Sequence, residues 1–282
     1  MKEIRNTTFP QERALYGEED LSLIECRFEG DEDGESALKE CNNLNIENCF
    51  FDLRYPLWHD HNVLIKDSVM TPNCRASLWY TNNVTIYDSS LNGIKALREC
   101  NNIEISNCKI DSPEFGWKSH HIKCFNSDLI SEYAFLLASD IEIKKLTFKG
   151  KYSFQYVENM SVEDSKFDTK DAFWHSKNVT VKNSIIKGEY LGWYSDNLTL
   201  INCHIEGTQP LCYCTNLKLI NCTTSGCDLA FETSDVEATI IGKIDSIKNP
   251  RSGNIYVDEL GEIVNEYTKY PVNGKVFVKH RQ

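Results

Sequence analysis

The chain repeats a phrase at a fixed interval of nineteen residues, and that period excludes most ways of folding. The phrase runs aliphatic, any, aliphatic, any, Asn or Asp, Cys or Ser, any, aliphatic, with clear copies at residues 103–110 (IEISNCKI), 179–186 (VTVKNSII) and 198–205 (LTLINCHI). Its first apolar residue falls at Leu21, Leu44, Val63, Val84, Ile103, Ile122, Ile141, Met160, Val179, Leu198, Leu217 and Val236, and from Val84 onward every step is 19. Alternation of apolar and polar residues, rich in Val and Ile, is the pattern of a strand with one buried face. The interval leaves no room for the crossover helix of an ordinary parallel sheet, so each copy must stack on the one before at roughly 4.8 Å.

The expected fold is therefore all-β: a right-handed parallel β-helix, a solenoid of about 12 coils. Like residues stack into interior ladders, Leu44, Val63, Val84 and Ile103 in one and Ile46, Ile65, Ile86 and Ile105 in the next. Two polar ladders flank the strand. Asn43, Asn62, Asn83, Asn102, Asn159, Asn178, Asn197 and Asn216 precede it; Asn48, Asn107, Asn126, Asn183, Asn202 and Asn221 lie within it, with Asp67, Asp88 and Asp164 substituting. Asn tolerates left-handed turns and its amide bonds to amides above and below, so both ladders are expected to fix corners. Gly30, Gly93, Gly150, Gly188, Gly207 and Gly226 sit beyond the strand, where a positive φ is expected. The period implies one domain: a cap and partial first coil over 1–20, coils over 21–244, and capping strands and loops over 245–282.

Of the 282 residues 41% are hydrophobic and 26% charged, enough for a core and a polar surface. The first twenty residues hold no apolar run or small-residue cleavage site, which predicts a cytoplasmic protein without signal peptide or membrane anchor. Twelve cysteines are then read as reduced, small buried residues; Cys26, Cys49, Cys203 and Cys222 interchange with Ser68, Ser89 and Ser184 in one inward ladder. A net charge of −12 repels phosphate backbones and anionic lipid, so neither nucleic acid nor a membrane is an expected partner.

The phrase NVTVKNSII and its siblings resemble the coils of the pectin-lyase-like superfamily of right-handed β-helices. Over nearly the whole chain, residues 12–16 (ERALY), 34–40 (GESALKE), 55–59 (YPLWH) and 75–80 (RASLWY) resemble a bacterial family known as domain of unknown function 3737. That resemblance implies the fold and brings no activity with it. The grouped aspartates of polygalacturonase-like enzymes and the calcium-binding acidic clusters of pectate-lyase-like enzymes have no match here.

The segment before each strand supplies two further columns. Lys39, Trp58, Trp79, Arg98, Trp117, Leu136, Gln155, Trp174, Trp193, Cys212 and Phe231 form one; Glu40, His59, Tyr80, Glu99, Lys118, Leu137, Tyr156, His175, Tyr194, Tyr213 and Glu232 form the next. All five tryptophans fall in the first column, interrupted by cations, so its first half is expected to face outward. Indole faces beside carboxylates and cations suit a sugar chain. The other reading has the tryptophans stacked on one another under cation–π cover, protecting a sheet face.

Substrate-binding candidates are accordingly Lys39, Trp58, Arg75, Trp79, Tyr80, Trp117, Trp174, His175 and Trp193; catalytic candidates are Glu40, His59, Arg98, Glu99 and Lys118. Glu40 and Glu99 stand three coils apart, about 14 Å, too far for the carboxylate pair of a glycosidase. His59 oriented by Glu40 would make a general base, while Lys118 or Arg98 would take a proton in a lyase-type scheme beside a uronate carboxylate. His120 and His121 read as a corner rather than metal ligands, and His59 with His61 as a weak metal pair, so no metal and no cofactor are expected. Two functions remain: a protein that binds or modifies an oligosaccharide or sugar derivative, and a non-catalytic solenoid whose aromatic strip docks a protein or a second copy of itself.

Overall fold

The computed structural model describes residues 1–31 and 34–279, which fall into two compact units, Met1–Glu142 and Ile143–Gln282. Each unit is a parallel β-solenoid, and the described residues contain no α-helix, only a 3₁₀ turn at Pro72–Cys74. In the first unit the front sheet stacks strands Lys2–Arg5, Glu19–Ile24, Asn42–Glu47, His61–Lys66, Asn82–Tyr87, Asn101–Ser106 and His120–Phe125 in parallel register. A second sheet runs from Arg27–Phe28 to Asp128–Glu132, and a short third sheet joins Leu57–Trp58, Leu78–Trp79 and Leu97–Arg98. The second unit repeats the plan from Glu158–Glu163 through Lys275–Val278.

Every expected repeat copy is a strand, and the interior ladders form as expected. Leu44 pairs Val63, Val63 pairs Val84 and Val84 pairs Ile103, while Ile46, Ile65, Ile86 and Ile105 are fully buried. The turns number about 14 rather than 12. The surplus comes from terminal strands that lack the repeat phrase: Lys2–Arg5 pairs with Leu21–Ile24, Ser252–Val264 with Asp235–Lys248, and Lys275–Val278 with Asn254–Val257, all parallel. Of the 245–282 segment, residues 280–282 lie outside the described residues.

Corners are left-handed, as the asparagines predict. Asn43, Asn62, Asn83 and Asn102 have φ of 57° to 59°, and Asn83 and Asn102 each donate an amide N–H to the ladder Asn one rung back at 3.0 and 2.8 Å. His121 takes the next corner at φ 55°, which is why a histidine stands there. The glycine expectation needs correction: Gly30 and Gly150 are not in the positive-φ region. Gly30 is fixed by space, since a Cβ would sit 2.5 Å from that of Pro10, and Gly150 lies within strand Thr147–Lys151. Gly188 does need its freedom, with φ +145° and a Cβ position 2.0 Å from the Thr169 carbonyl oxygen.

Two inward ladders of small polar residues satisfy the backbone at the turns: Ser68, Ser89, Ser127, Ser165 and Ser184 follow the repeat strand, while Ser119 and Ser234 stand before it in the ladder of Asp60. Ser68, Ser89, Ser119 and Ser127 in the first unit, with Ser165, Ser184 and Ser234 in the second, each accept a backbone N–H from the preceding rung at 2.9 to 3.1 Å. Each also donates to the carbonyl two residues before it at 2.7 to 3.3 Å. Each such position therefore wants one acceptor and one donor. Asp60 occupies one as a fully buried carboxyl: Oδ1 accepts the Cys41 N–H at 2.7 Å, and Oδ2 is buried without a partner. A protonated acid supplies both functions, and burial, aided by the Glu40 charge, pushes the Asp60 pKa up to about 8.

The sign follows from linkage. The unfolded chain loses this proton near pH 4 and the folded chain keeps it to about 8, so the folded state binds more protons between and its stability falls as pH rises through that window. Asp60→Asn keeps an acceptor and a donor without a charge. It is expected to raise Tm by roughly 5 °C at pH 8 and to change it little at pH 4. Equal shifts at both pH values, read by differential scanning calorimetry, would contradict a neutral Asp60.

Candidate ligand-binding strip on the first unit

The two site columns lie on successive rungs. Glu40, His59, Tyr80, Glu99 and Lys118 each donate a backbone N–H to the rung ahead, at the carbonyls of Trp58, Trp79, Arg98, Trp117 and Leu136, over 2.8 to 3.2 Å. All five have φ of 50° to 60°, so this column is itself a corner. A left-handed residue turns the chain sharply, which throws its side chain outward and aims the residue before it along the face of the short third sheet. Sequence reasoning placed corners at the asparagine ladders, at glycines and at His120 and His121, and missed this one; its signal is the small residue that follows each member, Cys41, Asp60, Thr81, Cys100 and Ser119.

The tryptophan column faces outward but its ring faces are occupied. Trp58 and Trp79 stack at 5.3 Å and 8°, with Lys39 Nζ 4.3 Å over Trp58 and Arg98 Cζ 4.9 Å over Trp79. The order is cation, indole, indole, cation on four rungs, and Tyr55 leans on both rings from the side at 6.3 and 6.1 Å. Trp117 carries Lys95 Nζ at 5.6 Å, itself paired with Glu114 at 3.1 Å. The cation-covered stack thus describes this column, and what it presents to solvent is ring edge.

The corner column presents polar tips. Glu40 accepts from Tyr16 Oη at 2.7 Å and lies 3.8 Å from Lys39 Nζ. Glu99 accepts from Arg98 Nε at 3.0 Å, and the Tyr80 hydroxyl lies beside it. Burial pushes the Glu99 pKa up, but the Tyr80 hydroxyl, the Arg98 bond and the charges of Arg98 and Lys118 outweigh it and hold Glu99 below the usual carboxylate range. An ionised Glu99 accepts hydrogen bonds and does not donate a proton. His59 touches the rings of Trp58 and Tyr80 at 5.9 and 4.9 Å, and among the described residues no hydrogen bond or ion pair joins it to Glu40. The Glu40 to His59 dyad is not assembled. Lys118 and Arg75 are exposed, and neither has an ion pair among the described residues.

The same columns are closed in the second unit. Trp174 and Trp193 stack at 5.4 Å and 6°, and their indole N–H groups donate to the carbonyls of Tyr190 and Gln209 at 2.7 Å. Tyr156, His175, Tyr194 and Tyr213 form a continuous ring stack at 4.9 Å spacings, with Tyr156 and Tyr194 nearly half exposed. In the first unit Trp117 makes the same bond, to Tyr133 at 2.6 Å, whereas the Nε1 atoms of Trp58 and Trp79 are buried with no partner. Each orphaned donor costs about 1–3 kcal/mol.

The histidines are accounted for locally. His120 Nδ1 meets Ser139 Oγ at 2.9 Å and His121 Nδ1 meets Asn101 Oδ1 at 2.8 Å; between His59 and His61, Asp60 points into the core. Among the described residues no group of three or more His, Cys, Asp or Glu is placed to hold a metal ion. All twelve cysteines are buried and unpaired, as their exchange with serine implies.

Coil geometry and ladders together define a right-handed parallel β-helix. Within that class the chain belongs to the family described as protein of unknown function DUF3737, whose model matches residues 2–276. No curated protein matches it. Solved structures similar to it include a surface adhesin of Streptococcus pneumoniae, at 11% identity over 91% of this chain and 82% of that one with a TM-score of 0.43. A mannuronan C-5 epimerase module of Azotobacter vinelandii matches at 11% identity over 98% and 89%, TM-score 0.28. The tailspike of an E. coli bacteriophage matches at 10% identity over 97% and 53%, TM-score 0.26. Likeness at this level transfers no ligand and no chemistry.

The covered stack makes a thermodynamic prediction. A double-mutant cycle of Trp58→Leu and Trp79→Leu, read by chemical denaturation, is expected to give a coupling energy of about 0.5–1.5 kcal/mol. Additive losses in the two single variants would contradict the Trp58 to Trp79 stack.

Proposed function

We propose that the first unit binds an acidic oligosaccharide along the corner column, without cleaving it. The observation that carries this reading is the contrast between two equivalent strips. In the second unit the indole donors are satisfied and the tips are packed into one aromatic stack. In the first, the corner tips Glu40, His59, Tyr80, Glu99 and Lys118 stay polar, and Arg75 and Lys118 are exposed without an ion pair among the described residues. His59, the ionised Glu99 and the Glu40 carboxylate then offer donors and acceptors to sugar hydroxyls, and the exposed cations Arg75 and Lys118 suit uronate carboxylates. Binding without cleavage fits the absence of an assembled acid and base pair: Glu40 and Glu99 are three rungs apart, and Glu99 is held ionised.

A second reading has one observation behind it. The exposed stack Tyr156 to Tyr213 offers an aromatic strip suited to docking another protein, a second copy included. Titration of the protein with uronate-containing oligosaccharides, followed by tryptophan fluorescence, separates the two. The strip predicts saturable quenching that Lys118→Ala weakens about tenfold, roughly 1.4 kcal/mol. No response to any uronate oligosaccharide, with a dimer by light scattering that Tyr194→Ala dissociates, would overturn it in favour of docking.

A further inference from the structure

A different face of the first unit carries a cleft that the strip does not use. It lies on the outer surface of the front sheet, has a volume of about 540 Å³, and spans the three rungs Asn42–Glu47, His61–Lys66 and Asn82–Tyr87. Its polar lining is the amides of Asn43, Asn45, Asn62 and Asn83 with the Thr85 hydroxyl, and Leu64 supplies an apolar floor flanked by Met1. No charged side chain lines it. That is an unusual surface for a chain of net charge −12, and it contrasts with the mixed charges of the corner column.

The amides were expected to be wholly structural, and half of their capacity is. Asn62 donates to Asn42 Oδ1 at 2.9 Å, Asn83 to Asn62 Oδ1 at 3.0 Å, and Asn102 to Asn83 Oδ1 at 2.8 Å; Asn45 donates to Ser22 Oγ at 3.1 Å. A primary amide has two N–H donors and two carbonyl lone pairs. Asn62 and Asn83 each spend one donor and one lone pair on the ladder, which leaves one donor and one acceptor on each of these two rungs, while Asn43 on the rung before donates to Asp20. Because the ladder bonds fix the amide planes, the remaining pair on each rung is pre-oriented, and little side-chain entropy is lost on binding.

We infer that this cleft is a second saccharide site, specific for a neutral oligosaccharide. Sugar hydroxyls both donate and accept, which matches a donor and acceptor pair on each of those two rungs, and a pyranose C–H face has Leu64 to lie on. An extended peptide, the other ligand that reads amides, repeats its same-facing groups at about 6.7 Å, whereas the rungs repeat at about 4.8 Å, so the two fall out of step after one rung. A chain of pyranose rings advances by close to one rung per sugar and stays in step. An anionic ligand finds no Lys, Arg or His side chain in the lining.

The test uses the full chain, with cellohexaose, xylohexaose and maltohexaose as probes in isothermal titration calorimetry. At least one is expected to bind. Leu64→Lys, an outward position that takes no part in the ladder, is expected to weaken that binding tenfold or more by filling the floor with a hydrated cation. Asn62→Asp is expected to weaken it as well, and Lys109→Ala, on the second sheet, to leave it unchanged. Circular dichroism melts of the variants show that they fold. Absence of binding by all three probes, binding that folded Leu64→Lys retains, or preference for an extended peptide over the glycans would each overturn the inference. Failure of uronate binding in Lys118→Ala bears on the corner column alone, so the two sites are judged separately.

Discussion

In-register parallel pairing of consecutive coils is the constraint from which the other features descend. Once Leu44 lies beside Val63 and Val63 beside Val84, every other residue of those coils has a fixed neighbour above and below. A side chain then meets near-copies of itself at strand spacing, so each position is chosen for how it packs against its own kind. Isoleucine fills the inner ladder, asparagine bonds to asparagine at the corner, and indole lies flat on indole. The cost is a backbone with several left-handed, non-glycine residues per turn, each held in a sparsely populated region. Bonds to the rungs before and after offset it, and the buried serine ladders remove the N–H orphans that those corners would leave.

Much of this was legible because period and chemistry coincide. The strict steps from Val84 to Val236 gave the strands, the inner face and the asparagine corners, and the exchange of cysteine with serine gave one inward ladder. The C-terminal rungs escaped because pairing persists where the period does not, and the N-terminal rung, although it keeps the step of 19 from Lys2 to Leu21, because it lacks the apolar pattern. Val236 lies opposite Gly253 and Ile255 opposite Val276, steps of 17 and 21 residues, and residues 2–5 (KEIR) offer one apolar residue to read. Register in such a sheet is set by backbone bonds, and loops of unequal length bring different spacings to the same alignment.

At the site, sequence gave the columns and their outward direction but could not give ring orientation. Aromatic rings repeated at strand spacing can present their faces to a ligand or to one another, and the second arrangement wins here because the next indole is always at contact distance. Edges remain. Ring faces are closed in both units, and the units differ at the corner tips, mostly polar in the first and an aromatic stack in the second. Asp60 belongs to the same logic: a carboxyl in a hydroxyl's place, kept neutral by burial, beneath the Trp58 to His59 corner.

The rung is the unit of this structure, and removing one whole rung tests that most directly. Deletion of residues 180–198 joins Val179 to Thr199 and restores the alternation, so the shortened protein is expected to keep its β circular dichroism and a single cooperative melt. Deletion of 180–197 shifts everything beyond it by one residue and turns the buried face outward, so cooperative melting is expected to be lost. If the two deletions melted alike, stacking at nineteen residues would not be what holds the protein together.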